Sequence, residues 1–259
     1  MANTALITGA SGGIGEAFAR YHASKSGDLV LVARREEALE ALKSELEQKH
    51  GVSVHVIAQD MAEPDAAQKV MDGVKAAGVT LDILINNAGF GGHGKHIERD
   101  LAEEMAMVDL NVKGLMALTH ATAKDMVARG VPGRILNVSS TAGFVPGPLQ
   151  AVYFATKAFV TSYSEAVNHE LRDTGVTITV LAPGYVETNF ADRADLEGTK
   201  LVQNNPATPE SVAKHGYDAM MARETITIND PKLRFMMRWL IPLSPRKTVL
   251  KMIEDMQSK

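Results

Sequence analysis

A short apolar run followed at once by a cluster of glycines constrains the fold of this chain more than any other feature. Residues 4–8 (Thr-Ala-Leu-Ile-Thr) have the length and the β-branched content of a buried strand. Residues 9–15 (Gly-Ala-Ser-Gly-Gly-Ile-Gly) follow, and residues 16–21 have the composition of a helix. A strand, a glycine turn and a helix N-terminus in this order present backbone N–H groups to a phosphate. The alternative interpretation is a flexible glycine loop that binds nothing.

Strand-like runs alternate with helical segments along the rest of the chain. The later predicted strands cover residues 29–33, 52–58, 81–85, 134–138, 176–181 and 225–228. The longest helical pattern between them runs from Leu101 to about Arg129. The alternation predicts an α/β fold, a Rossmann-like doubly wound parallel sheet of about seven strands with helices on both faces. We expect one domain over residues 1–259, with a substrate lid over about 190–210 and a variable segment over about 230–259.

Four loops fall at the predicted carboxyl ends of strands. They contain Gly9–Gly15, Asn86–Gly89, Ser140 and Pro183–Gly184. In open parallel sheets, ligands bind in the crevice outside this edge. The four loops are therefore predicted to meet in one cleft, which is stronger evidence for a binding site than any single loop.

Tyr153 and Lys157 lie four residues apart in a segment with a helical pattern. On a helix this spacing places both side chains on one face. A phenol with a pKa of about 10 transfers protons poorly at neutral pH, and a fixed cation beside it lowers that pKa. The two residues are a candidate acid/base pair. The alternative is a surface lysine one turn after a half-buried tyrosine.

Arg34 and Arg35 follow the second predicted strand, where a dinucleotide fold meets the adenosine ribose. An acid at this place would bind the 2′-hydroxyl of NAD, whereas arginine offers donors suited to a phosphate. The sequence thus favours NADP(H) over NAD(H). The alternative is a pair of solvated arginines at a helix start, although cations there oppose the helix dipole. Asp60, after the third strand, could bind the adenine amino group or cap the next helix.

Composition narrows the remaining classes of function. The formal net charge of −4 argues against a general nucleic-acid partner. The chain has no cysteine, so disulfides, zinc–thiolate sites and thiol chemistry are excluded. His93 and His96 have no third ligand nearby in the sequence, and we expect no metal site. Neither a secretory signal nor a membrane-spanning run is evident, so we expect a cytoplasmic protein.

Residues 232–243 are both basic and strongly apolar. Such a segment could lie on a membrane surface, cover an apolar substrate pocket or form a subunit contact. We favour packing over membrane binding, because the basic face is small and one short helix anchors weakly.

Taken together, these motifs resemble the short-chain dehydrogenase/reductase family. Its Thr-Gly-x-x-x-Gly-x-Gly motif is matched by Thr8, Gly9, Gly13 and Gly15, and its Asn-Asn-Ala-Gly motif by Asn86–Gly89. Its Asn–Ser–Tyr–Lys tetrad is matched by Asn111, Ser140, Tyr153 and Lys157. We choose Ser140 over Ser139 because the family serine stands thirteen residues before the tyrosine. The match extends to about Phe190.

The resemblance implies hydride transfer between NADP(H) and a carbonyl or secondary alcohol. Tyr153 would protonate the carbonyl oxygen, Ser140 would hold it, Lys157 would lower the Tyr153 pKa and bind the nicotinamide ribose, and Asn111 would hold a water. The implied cofactor contacts are Gly9, Ser11, Gly12, Gly13, Ile14, Gly15, Arg34, Arg35, Asp60, Met61, Asn87, Ala88, Gly89, Tyr153, Lys157, Pro183, Gly184, Val186 and Thr188. One departure is Gly12, where many NADP-using members carry a basic residue.

The resemblance also implies a homodimer or homotetramer that pairs the helices of Asn111 and Tyr153. We expect a small hydrophobic ketone or aldehyde as substrate, with pocket walls from Phe144, Val145, Leu149, Tyr185 and residues 190–206. Two other classes of function remain open. The protein could bind NADP(H) as a sensor or scaffold without turnover, or act at a membrane surface on lipid carbonyls through residues 232–243.

Overall fold

The computed structural model describes residues 3–202 and 206–259. Within these residues, seven parallel strands form one sheet in the order β3-β2-β1-β4-β5-β6-β7. The strands are β1 (Thr4–Thr8), β2 (Asp28–Ala33), β3 (Val54–Ala58), β4 (Ile83–Asn86), β5 (Arg134–Val138), β6 (Thr177–Leu181) and β7 (Ile226–Thr227). The strand order reverses between β1 and β4, which opens a crevice at their carboxyl ends. The predicted fold class is confirmed.

Helices connect the strands and cover both faces of the sheet. The α-helices are α1 (Gly13–Ala23), α2 (Glu36–His50), α3 (Ala66–Ala76), α4 (Leu101–Val108), α5 (Leu115–Arg129), α6 (Ala151–Glu170), α7 (Phe190–Arg193), α8 (Pro209–Met221), α9 (Pro231–Phe235) and α10 (Arg246–Gln257). Local signals explain several of the starts. Thr208 caps α8 by accepting the Ser211 N–H, with Pro209 in the first turn, and Asp230 caps α9 in the same way.

Successive residues of the central strands face two separate cores. In β1, Ala5 and Ile7 pack with Phe18 on the face covered by α1, α2 and α8. Leu6, between them, packs with Val70 on the face covered by α3, α5 and α6. A strand buried on both faces reads as a continuous apolar run, which is why period-two alternation was absent from the sequence.

The predicted helix from Leu101 to Arg129 is interrupted. A π-helical turn, Asp109–Gly114, separates α4 from α5. Asn111 lies in this turn, fully buried, and its side chain bonds the backbone of Phe90 in another loop. Single π turns inserted in helices often mark functional sites, because they re-aim one side chain.

Two further elements complete the description of the C-terminal part. A π-helix (Met236–Leu240) and a 3₁₀ helix (Ile241–Leu243) continue α9, so residues 231–243 are helical throughout. Residues 203–205 of the predicted lid lie outside the described residues. In the described part of the chain, no helix has both the length and the apolar character needed to cross a bilayer.

Candidate active site

The turn after β1 requires glycine, both for its backbone angles and for its close contacts. Gly9 and Gly13 have φ angles of +67° and +56°, in the left-handed region that favours glycine. A Cβ atom at Gly15 would collide with the carbonyl oxygen of Gly9. The turn therefore lies tightly against the first turn of α1, whose free N–H groups point to the crevice edge.

Thr8 ties the two strands that border the crevice. Its hydroxyl accepts hydrogen bonds from the backbone N–H groups of Asn87 (3.0 Å) and Ala88 (3.1 Å). The Asn87 side chain donates back to the Thr8 carbonyl at 3.1 Å. The glycine turn and the Asn-Asn-Ala-Gly segment are thus brought together as predicted.

A buried polar network lies behind this edge and was not predicted from the sequence. Asn86 donates to Thr119 and to Asn137, both at 2.9 Å, and Asn137 donates to Ser164 at 2.9 Å. These bonds join β4, α5, β5 and α6. The available signal was Asn137 itself, a polar residue inside an otherwise apolar strand.

Tyr153, Lys157 and Ser140 meet at the carboxyl end of β5. The Lys157 ammonium lies 5.8 Å from the centre of the Tyr153 ring and donates to the Val138 carbonyl at 2.9 Å. The Ser140 hydroxyl lies close enough to the Tyr153 phenol to lower its pKa, and its oxygen accepts the Ala142 N–H at 3.1 Å. Ser139, by contrast, is buried against α6, where its hydroxyl donates to the Lys157 carbonyl at 2.9 Å. The choice of Ser140 over Ser139 agrees with this placement.

Burial dominates the proton affinities of this pair. It raises the pKa of Tyr153 to about 12, an effect that the nearby Ser140 hydroxyl opposes. It lowers the pKa of Lys157 to about 8. The expectation that Lys157 brings the Tyr153 pKa toward neutrality does not hold in the protein alone, because the cost of placing charge in a dry site exceeds the effect of the amine. Tyr153 is therefore protonated at neutral pH, which is the state required of a proton donor.

Asn111 fixes the loop after β4. Its amide donates to the Phe90 carbonyl (2.9 Å) and to Thr156 (3.1 Å), and its oxygen accepts the Phe90 N–H (3.1 Å). A Cβ atom at Gly89 would lie 3.0 Å from the Asn111 oxygen and 3.5 Å from the Lys157 nitrogen. Asn111 therefore shares the site with Lys157, and its role in holding a water stays a prediction.

The two predicted phosphate-binding arginines lie where β2 ends. Arg35 reaches across to the glycine turn and donates to the Ser11 carbonyl at 2.8 Å. A Cβ atom at Gly12 would lie 3.6 Å from the same guanidinium. Arg34 lies 3.7 Å from the Asp60 carboxylate, which also accepts the Ala62 N–H at 3.0 Å. Asp60 thus accepts a hydrogen bond within its own loop and faces Arg34. The interpretation of Asp60 as a cap of the next helix was wrong, because α3 has Asp65 at its N-cap position, and the contact of Asp60 with adenine stays a prediction.

A third guanidinium, Arg193 of α7, was missed by sequence reasoning. It stacks over the Phe90 ring, 4.3 Å from the centroid. Burial lowers the pKa of Arg193, and repulsion from Arg34 lowers it further. Arg193 and Arg34 are thus near neighbours of like charge, an arrangement that a bound anion would stabilise.

The remaining predicted cofactor residues divide into two groups. Thr188 packs close to Gly13, where a Cβ atom would lie 3.1 Å from its methyl group. Pro183 accepts the Thr141 N–H at 2.9 Å, and Val186 pairs with Ala207. Ile14 and Met61, in contrast, pack their side chains against the two cores.

An apolar cluster surrounds the Tyr153 ring. Phe144 and Val145 from the β5–α6 loop pack there with Leu233, Met236, Met237 and Ile241 from the helical segment 231–243. Gly184 is essential to this packing, because a Cβ atom there would lie 2.6 Å from Leu233. The predicted wall residue Tyr185 instead packs with Ala191, Ala194 and Leu196 of the lid.

The first residue of the predicted lid lies against Tyr153. Phe190, the first residue of α7, contacts the Tyr153 ring, and a Cβ atom at Gly91 would lie 2.8 Å from Phe190. A recess of about 610 Å³ lies between Lys200 and α10, and Tyr153 is not among the residues that line it. The geometry of Tyr153, rather than this recess, therefore locates the site.

Gln150 places an unsatisfied amide beside Tyr153. The side chain is only 3% exposed, and its nitrogen donates to the side-chain oxygen of Gln257 at 2.6 Å. Its own oxygen has no hydrogen-bond partner in the described residues. A Cβ atom at Gly91 would lie 3.5 Å from that oxygen and 3.3 Å from the Tyr153 ring, so both groups border the same space.

The two histidines of the loop after β4 have structural partners. His93 bonds the Gln257 carbonyl at 2.7 Å, and His96 pairs with the buried carboxylate of Glu104 at 2.5 Å. Arg99 also contacts Glu104, at 3.1 Å. In residues 3–202 and 206–259, no group of three or more potential ligands is placed to hold a metal ion.

The chain is similar to a known protein family over most of its length. The family model described as short chain dehydrogenase matches residues 3–197. The chain is 39% identical over 191 residues to sulfoacetaldehyde reductase 2 of Chromohalobacter salexigens, covering 73% of this chain and 75% of that protein. It is 35% identical over 238 residues to the NADP-dependent 3-hydroxy acid dehydrogenase of Schizosaccharomyces pombe, covering 88% and 90%.

Solved structures agree with this assignment. The short-chain dehydrogenase from Sphingobium yanoikuyae in complex with NADPH superimposes with a TM-score of 0.84 at 30% identity, covering 93% of this chain and 92% of that one. A short-chain dehydrogenase/reductase from Burkholderia phymatum in complex with NAD gives 0.83 at 26% identity, covering 92% of both chains. The chain therefore belongs to the short-chain dehydrogenase/reductase family of oxidoreductases.

Proposed function

We propose that this chain reduces a carbonyl compound with NADPH, using Tyr153 as the proton donor. The observation that carries the proposal is the contact of Tyr153 with Ser140 and Lys157 at the crevice where the glycine turn ends. The residues fit a dinucleotide, because Gly9, Gly13 and Gly15 leave the space of a phosphate cradle beside the α1 N-terminus. When bound, the nicotinamide supplies the hydride.

The side chains have separate roles in this proposal. The Ser140 hydroxyl holds the carbonyl oxygen while negative charge develops on it. Tyr153, which is neutral because burial raises its pKa, gives that oxygen its proton. The ammonium of Lys157 then lies beside the phenolate that remains and stabilises it.

The finer choice of NADP(H) over NAD(H) rests on three guanidinium groups. Arg34, Arg35 and Arg193 gather at the ends of β2 and β3, where a 2′-phosphate would add the missing negative charge. The yeast relative named above is NADP-dependent, and the Sphingobium structure holds NADPH. The Burkholderia structure holds NAD, so the family as a whole uses both nucleotides.

For the substrate, the contacts favour an apolar ketone or aldehyde that carries a hydrogen-bond donor. Phe144, Val145 and Met236 supply the apolar surface around Tyr153. The unsatisfied oxygen of Gln150 supplies one acceptor in the same space. A buried acceptor without a partner costs free energy, and a substrate hydroxyl or amide would remove that cost. Residues 190–202 would act as the lid that admits this substrate.

Oligomerisation is part of the same proposal. The α4–α5 region leaves Leu101 66%, Met105 50% and Met116 40% exposed. Exposed apolar side chains grouped on neighbouring helices are typical of a subunit contact. A homodimer or homotetramer through this surface is proposed.

The test is NADPH oxidation with a panel of ketones and aldehydes, repeated with NADH. The proposal expects turnover with at least one apolar carbonyl and a higher kcat/KM with NADPH. The competing function, a sensor or scaffold, predicts tight NADPH binding by fluorescence but no oxidation with any carbonyl. That second pattern would contradict the proposal.

A further inference from the structure

The helical segment 231–243 has two apolar faces, of which the fold uses one. The inner face packs Leu233, Met236, Met237 and Ile241 against the cluster around Tyr153. Packing over an apolar pocket was one of the alternatives that the sequence left open for this segment. Packing of the inner face does not explain why the segment carries further large apolar residues.

The outer face is exposed. Phe235 is 57%, Trp239 61%, Leu240 51% and Leu243 85% exposed. Residues at this spacing lie on one side of a helix. Four large apolar side chains on one exposed face, including the only tryptophan of the chain, exceed the scattered exposure that is normal for a monomer surface.

Basic residues accompany this face. Residues 230–259 contain seven Lys and Arg but three Asp and Glu, a formal charge of +4, so the rest of the chain carries −8. Lys232, Arg234 and Arg238 are exposed on the segment, and Arg246, Lys247 and Lys251 follow on α10. Within the residues that the structure describes, none of these six side chains forms an ion pair.

We propose that this outer face, formed by Phe235, Trp239, Leu240 and Leu243 with the six basic residues, docks on an anionic lipid bilayer surface. An interfacial helix buries Trp, Phe and Leu at the headgroup boundary, while Lys and Arg interact with anionic lipids. Arg246, Lys247 and Lys251 of α10 follow the segment closely in the sequence and add three exposed basic residues to the three that the segment itself carries.

Charge argues against a second copy of the chain as the occupant. A two-fold symmetric contact places the same patch on both subunits. It would bring two groups of basic side chains together, and like charges at close range oppose association. The docking does not depend on the proposed reaction, although the inner face of the same segment contacts the Tyr153 cluster.

Flotation with vesicles tests the proposal without any substrate. The full chain is mixed with vesicles of phosphatidylcholine alone or of phosphatidylcholine with 30% phosphatidylserine, at low and high salt. We expect at least tenfold more protein to float with the anionic vesicles at low salt, and this fraction to fall as salt screens the charges. Trp239 fluorescence should shift to shorter wavelength on binding.

Matched variants test whether the outer face, rather than other exposed residues, binds the vesicles. The double variant W239A/L243S should lose flotation, whereas Ile97→Ser, at a site 89% exposed on another loop, should keep it. Arg238→Gln with Arg246→Gln should weaken flotation several-fold, whereas Lys75→Gln with Lys124→Gln should not. Circular dichroism confirms that each variant folds.

Either of two outcomes would overturn the proposal. One is equal or no flotation with both vesicle types. The other combines two observations: the wild-type chain does not bind vesicles, and W239A/L243S changes its oligomeric state in size-exclusion chromatography. Together these results would assign the outer face to a protein contact. Neither outcome bears on the proposed reaction, since turnover is measured separately in lipid-free buffer.

Discussion

The ring of Phe190 lies against the ring of Tyr153, with centroids 5.4 Å apart and planes inclined by 52°. One comes from the short helix α7 of the lid, and the other from the long helix α6. The contact covers the proposed proton donor and contributes to the burial that raises its pKa. We predict that a substrate displaces Phe190 to reach Tyr153, which would make opening of the proposed lid part of the catalytic cycle.

Phe190→Ala should make Tyr153 more accessible. Because the substrate must displace this ring, losing the Phe190–Tyr153 contact is expected to lower KM for apolar carbonyls about two- to tenfold, since aromatic pairs contribute about 0.5–1.5 kcal/mol. Steady-state kinetics in lipid-free buffer would measure this. Phe235→Ala, which removes an exposed ring from the outer face of the segment 231–243, should leave KM unchanged. Equal effects of the two substitutions would contradict a lid role for Phe190.

Arg35→Gln should weaken NADP(H) binding selectively. Removing a charge-assisted hydrogen bond costs about 1.5–3 kcal/mol, which is roughly a ten- to hundredfold rise in Kd for NADPH. The Kd for NADH should change less than about twofold, because NADH has no 2′-phosphate. Fluorescence titration of both nucleotides makes the comparison, with Arg172→Gln as an exposed control. A parallel loss for both nucleotides would mean that Arg35 only supports the fold of the turn.

Lys157→Met should stabilise the folded state at neutral pH while it abolishes turnover. The pKa of Lys157 falls from 10.5 to about 8 on folding, so the folded state binds fewer protons between these values and stability rises with pH across that window. Below pH 8 the buried ammonium costs up to about 3 kcal/mol. The variant's advantage should therefore be present at pH 7 and shrink toward pH 10.

Urea unfolding of wild type and variant at pH 7 and pH 10 measures this difference. Lys75→Met, at an exposed position, is the control for the change of residue type. The contrary result is an unfolding free energy for Lys157→Met that does not exceed that of wild type at either pH value. This result would show that the Val138 hydrogen bond outweighs the cost of burying the ammonium.

Gln150→Leu should change substrate preference. Without the acceptor oxygen, kcat/KM for a hydroxylated ketone is expected to fall about tenfold relative to a ketone of similar size without the hydroxyl. Gln257→Met provides the comparison, because it removes the partner of Gln150 and leaves the acceptor in place. It should affect both ketones equally. If Gln150→Leu also affects both equally, the amide supports the helix start rather than the substrate.

The sequence predicted the sheet well because its signals are local. Apolar runs with β-branched residues ended at glycines or amides, and residues 134–138 form a strand with the predicted bounds. The convergence of the four loops also followed, since the carboxyl ends of parallel strands share one edge.

The parts that the sequence did not predict depend on contacts between distant segments. Gln150 and Gln257 are 107 residues apart, and no periodicity connects them. Arg193 comes near Arg34 only because α7 folds across the crevice. The π turn at Asn111 arises from bonds to the Phe90 loop, which no helix propensity encodes.

In the protein alone, the Tyr153 pKa lies above the expected one, for a related reason. The spacing of Tyr153 and Lys157 correctly placed the two side chains together, but spacing carries no information about burial. The lid and the apolar cluster around the ring make desolvation the larger effect.

The most direct test of the proposed mechanism is single-turnover reduction of an accepted carbonyl by Tyr153→Phe saturated with NADPH. Phenylalanine keeps the ring contacts with Phe190 and removes only the hydroxyl. If Tyr153 is the proton donor, the rate should fall about 10²- to 10⁴-fold while the Kd for NADPH stays within about twofold of wild type. A rate within a few-fold of wild type would contradict the assignment of Tyr153 as the acid.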